Sequence, residues 1–72
     1  MDDTVGKLHL IKYNDLVIYA HRNAYHGGEA RLDDDKVALV VERGVYYDGD
    51  ELCLIITAHH IGYLEREFLL PL

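Results

Sequence analysis

The chain has 72 residues, half of them apolar, with 13 acidic against 7 basic side chains and a formal charge of −6 with neutral histidines. That length makes a single domain, 1–72, near the lower limit at which apolar burial alone holds a fold, and the apolar share excludes a disordered chain. The basic residues are scattered rather than clustered, so direct nucleic-acid binding is not expected, and no window reaches the roughly 18 uncharged apolar residues that span a bilayer.

Taken in chain order, "LHLIK" alternates in polarity outside Ile11 and reads as a strand. "NDLVIYAH" follows a turn-forming Asn14-Asp15 pair and carries two patterns. Asn14 is a helix cap, Leu16, Val17, Ala20 and Ala24 have helical spacing, and Gly27-Gly28 is a helix stop. Val17, Ile18 and Tyr19 in succession are poor helix formers and favour a strand. Residues 22–36 are polar and read as one long loop, a length that compact domains usually reserve for function. "KVALVVERGVYY" and "DELCLIIT" then form a hairpin around Asp48-Gly49, a dipeptide that tolerates the positive φ of a tight turn. A two-residue loop there sets Tyr47 opposite Asp50 and Val45 opposite Leu52. Gly44, mid-strand, marks a bulge or bend. "AHH" is a second tight connection, and "IGYLE" is another strand.

Five short strands, a long early loop and a late tight hairpin give an all-β expectation, a small five-stranded barrel with its long loop at about 22–36. The segment Gly62-Tyr63-Leu64-Glu65-Arg66-Glu67-Phe68-Leu69-Leu70 resembles the tail of SH3 domains, where a last hairpin leads into a single 3₁₀ turn and a closing strand. "GDELCLII" lies where those domains carry Gly-Asp-Trp-Trp. The resemblance spans about residues 16–71 and implies an SH3-like barrel. It places Tyr19 and Phe68 in the aromatic groove that receives proline-rich peptides. It also puts Glu51 and Glu65 where the groove tryptophan and proline belong, so it does not imply proline-rich recognition. Barrels of this kind are also similar to short accessory and virion proteins of bacteriophages.

Candidate chemistry is sparse. His59 and His60 are adjacent, and neighbouring side chains on a strand face apart, so they ligate one metal ion only from within a turn. The plainer reading makes them the exposed tip of the last hairpin, with no metal and no cofactor. There is no serine, and the one cysteine, Cys53, falls inside a predicted strand as a small buried apolar residue. A single cysteine makes no internal disulfide, and the acidic start does not resemble a signal peptide, so a reducing compartment is expected. Asp33-Asp34-Asp35 reads as a solvated loop run. No catalytic residues emerge, and the chain is expected not to be an enzyme.

Six tyrosines are more informative. Tyr19, Tyr46, Tyr47, Tyr63 and Phe68 are the candidate interaction residues, because tyrosine buries a ring and keeps a polar tip. "VALVV" and "LCLII" are apolar on both faces, more than so short a chain covers by itself. A protein-interaction or assembly module is therefore expected, docking on a protein partner or on itself as a homo-oligomer. The setting is the cytoplasm or a virion, as a bacteriophage structural or accessory protein. The alternative is an acidic DNA mimic that inhibits a nucleic-acid-binding enzyme.

Overall fold

The structure, a computed structural model, describes residues 4–22, 28–32 and 34–72. Seven strands form one antiparallel sheet: β1 (Leu8–Ile11), β2 (Val17–Tyr19), β3 (Glu29–Arg31), β4 (Val37–Tyr47), β5 (Asp50–Ile56), β6 (Ile61–Glu65) and β7 (Leu69–Pro71). A single 3₁₀ turn, Arg66–Phe68, joins β6 to β7. The strand order is β3-β2-β6-β5-β4-β1-β7.

The all-β expectation holds, and the five-stranded barrel is corrected. Two further short strands extend the sheet, and its outermost members β3 and β7 do not pair, so the sheet is open. The expected loop at 22–36 contains β3, a Glu-Ala-Arg edge strand exposed throughout and hydrogen-bonded to β2. None of its three residues is β-branched or aromatic, so it carries no propensity signal; pairing with β2 makes it a strand. Residues 23–27, which include part of that loop, lie outside the described residues. Between Asn14 and Arg22 the strand alternative prevails, as β2.

The β4–β5 hairpin forms as its turn chemistry dictates. Asp48 and Gly49 both have positive φ, 51° and 86°, and Tyr47 pairs with Asp50 and Val45 with Leu52. Register shifts on either side of Glu42 bend β4, and Gly44, at φ 81°, takes a left-handed conformation that an L side chain resists. The bent strand is long enough to pair with β5 along most of its length and with β1 at its start.

One face of the sheet is the core. Ile11, Ile18, Ala38, Val40, Cys53, Ile55, Leu64 and Leu69 come from six strands, and Leu32 drops in from the connection after β3. Leu32 is held by its N–H on the Leu16 carbonyl, 2.9 Å. Each large aliphatic side chain so buried contributes about 1.5–3 kcal/mol relative to exposure. Gly62 belongs to this face for a steric reason. A Cβ there would lie 2.8 Å from the Tyr19 carbonyl oxygen and 3.1 Å from Ile18 Cδ1, so its absence lets β2 close on β6.

Candidate functional site

The opposite face follows from the strand registers, because side chains of directly paired residues point the same way. One row runs Leu70, Leu10, Val37 across β7, β1 and β4. The next runs Leu8, Leu39, Ile56, Ile61 across β1, β4, β5 and β6. In a free-standing antiparallel sheet such rows are ordinarily polar. Here Leu8 is 53% and Ile61 64% exposed, and Leu10, Val37, Ile56 and Leu70 are also open to solvent. The expectation that these strands are apolar on both faces is thus met by exposed aliphatic side chains.

Further along the same face the rows change character. Glu42, Leu54, Tyr63 and Tyr19 form the third row, and Val45, Leu52 and Glu65 the fourth. The pairs Tyr47–Asp50 and Tyr19–Glu29 complete this end. Together they enclose a cleft of about 300 Å³ lined by Tyr19, Glu29, Tyr47, Asp48, Asp50, Leu52 and Glu65. Leu52 is buried yet stands apart from the core cluster, because its side chain is the floor of this cleft on the other face.

Electrostatics make the cleft unusual. Four of its seven lining residues are carboxylates and none is basic. Burial, then the charges of Asp50 and Glu67, push the Glu65 carboxyl above its ordinary range. Glu65 Oε1 is buried without a hydrogen-bond partner, the one such side-chain atom among the described residues. Burial, then Glu65 and Glu29, likewise raise the Tyr19 phenol. Confined negative charge beside two tyrosine rings is the surrounding that a cationic side chain favours.

The structure places the five candidate interaction residues in three locations. Tyr19 and Tyr47 wall the cleft, and Tyr63 is directly paired with Tyr19 on the same face. Tyr46 alternates to the other side of β4 and is 70% exposed. Phe68 packs against the core and meets Tyr13 edge-on at 5.9 Å. Of the two carboxylates expected in the groove, Glu65 is there and Glu51 is not. Glu51 accepts two bonds from the Arg43 guanidinium, 2.8 and 3.0 Å, and one from the Gly44 N–H at the bulge, 3.0 Å. Arg43 chiefly holds its carboxyl below the usual range. Glu29, which helps complete the acidic rim, carried no motif, and Asp48 carried only that of the hairpin turn. They join the cleft through the β2–β3 pairing and the hairpin turn.

His59 and His60 occupy the β5–β6 turn, closed by the Thr57 N–H on the His60 carbonyl at 2.8 Å. The hairpin-tip expectation holds for His59, whose side chain is 70% exposed, while His60 is half-buried, and both rings also bond Asp35. His59 Nδ1 donates to Asp35 Oδ1 at 2.6 Å, His60 Nδ1 to Oδ2 at 3.0 Å, and the Thr57 hydroxyl to Oδ2 at 2.5 Å. Asp35 is buried rather than solvated, with a side chain 2% exposed. The Thr57 hydroxyl is the first cause of its lowered pKa, ahead of His60 and His59. Asp33 lies outside the described residues. With both Nδ1 atoms committed to carboxylate oxygens, the pair is a latch between the hairpin and the loop before β4. No three His, Cys, Asp or Glu side chains gather to hold a metal ion among the described residues.

No family model, no curated protein and no solved structure matches the chain. No helix is long and apolar enough to cross a membrane among the described residues.

Proposed function

We propose that the protein is a non-enzymatic interaction module that holds an extended, basic segment of a partner protein on its outer sheet face. A Lys or Arg side chain enters the acidic tyrosine cleft while apolar side chains of the same segment lie along the rows from Leu70 to Ile61. The observation that carries this reading is the continuity of the two features on one face. In this reading the sheet is an SH3-like architecture, with β2 and β3 as arms of the long loop and β1, β7 and the bent β4 as one half. The groove has exchanged proline-binding walls for carboxylates. Assembly within a larger complex, such as a bacteriophage particle, is the setting proposed for it.

The test is fluorescence anisotropy with labelled peptides of alternating apolar and basic residues, each beside a partner in which every Lys or Arg is Gln. Basic peptides are expected to bind, and their affinity to fall with salt as exposed charges are screened. Neutralising one carboxylate, as in Asp50→Asn, should weaken binding about tenfold, equivalent to about 1.4 kcal/mol. Equal binding of the basic and Gln peptides would sink the proposal. Capture of a nuclease or polymerase from lysate, released by competing DNA, would favour the DNA-mimic reading instead.

A further inference from the structure

A second cavity, of about 480 Å³, has the opposite character. Thr4, His9, Arg66, Leu69 and Pro71 line it, so the two ionisable side chains in its wall are both bases, in a chain of net charge −6. Four segments converge to build it: the turn before β1, β1 itself, the 3₁₀ turn and β7. His9 pairs directly with Pro71, which fixes the ring against the closing strand.

Two of the polar residues are buried to about nineteen parts in twenty, Thr4 and His9 each being 5% exposed. His9 Nδ1 lies 3.1 Å from the Lys7 carbonyl oxygen. A carbonyl only accepts, so Nδ1 is the donor in this bond, which fixes the orientation of the ring. Arg66 is poorly neutralised. Among the described residues its nearest carboxylate oxygen, Glu51 Oε1, is 4.0 Å away, and Glu51 is already bonded to Arg43 and the Gly44 N–H. Its guanidinium also makes a long bond of 3.4 Å to the Thr4 hydroxyl. A guanidinium with spare donors beside an imidazole of fixed orientation, backed by the apolar Leu69 and Pro71, forms a place for an anionic head on an apolar body.

We infer that this cavity is a carboxylate-binding site, taking a small acid with an apolar body: the chemistry of a peptide C-terminus or of a free short-chain acid. Arg66 holds the carboxylate through its outward-facing donors, and Leu69 and Pro71 contact the aliphatic part.

The test is titration of the ¹⁵N-labelled full chain at constant ionic strength with N-acetyl-leucine, N-acetyl-leucinamide, butyrate and inorganic phosphate. N-acetyl-leucine should shift the amide signals of Thr4, His9 and Leu69 saturably, and the neutral amide should not. Butyrate binding as well as N-acetyl-leucine identifies a general short-acid site, whereas preference for N-acetyl-leucine identifies a peptide terminus. Arg66→Gln, a change at a half-exposed side chain, should weaken binding at least fivefold with the rest of the spectrum unchanged. Arg31→Gln, at an exposed arginine elsewhere, should leave it as it was. Linear, unsaturated shifts, equal response to the amide, tighter binding of phosphate, or saturable binding unchanged in Arg66→Gln would each overturn the assignment.

Discussion

Two carboxylates show how burial with and without partners produces opposite behaviour. Asp35 accepts from Thr57, His59 and His60, so its ionised form is favoured in the folded state and its pKa lies well below the ordinary carboxylate range. A folded value depressed below the unfolded one gives stability that is present above about pH 4 and lost as the pH falls below it. Urea denaturation at pH 7, 5 and 3 should therefore show the native protein weakening at the acid end, with Asp35→Ala far less responsive. At pH 7 that substitution should cost about 2–3 kcal/mol, because three donors lose their acceptor. Glu65 is the reverse case. Its folded value is raised, so the folded state binds the proton more tightly, and stability declines as the pH rises through the carboxylate range before levelling off. Glu65→Gln should raise the thermal midpoint at neutral pH and weaken the binding of basic peptides. Calorimetry and anisotropy on the same preparation check the two effects together. Stability exchanged for recognition in this way is a common property of binding residues.

Among the elements, the junction of β2 with β6 depends on one missing side chain. Gly62→Ala forces a methyl to within 2.8 Å of backbone, and a backbone carbonyl has no rotamer in which to withdraw. The expected cost is about 2–3 kcal/mol, read from denaturant midpoints, together with weaker peptide binding because Tyr19 moves with β2. The β4–β5 hairpin was legible because Asp48-Gly49, the β-branched flanks and Gly44 are local signals that agree with one another. β3 was not, since Glu29, Ala30 and Arg31 have no preference that distinguishes a strand from a loop. Asp35 was misread for a related reason. Its burial depends on Thr57, His59 and His60, more than 20 residues later, and a run of acids in sequence says nothing about such a partner. The cleft was half visible: Tyr19, Tyr47 and Glu65 could be named, but the face they share follows only from strand register.

At the scale of the whole molecule, the open sheet leaves aliphatic rows in water on the side away from its core. In the proposed reading this apolar surface is where the partner segment lies. The double substitution Leu8→Lys with Ile61→Lys, both at exposed positions, should alter the unfolding free energy by no more than about 0.5 kcal/mol each. It should also abolish hydrophobic-dye binding and weaken any complex. Static light scattering of both forms over a concentration series tests whether the rows also bring copies of the chain together. Retained dye binding in the double variant would place the sticky surface elsewhere.

The strict alternation along β5 and β6 has a further consequence, for how such a protein changes over generations. Cys53, Ile55 and Leu64 face the core, whereas Leu54, Ile56, Ile61 and Tyr63 face outward, so neighbouring codons answer to different demands. Drift at the outward positions can rewrite what the surface recognises while the interior stays as it is. A library varied only at those positions would sample new specificities on an unchanged frame.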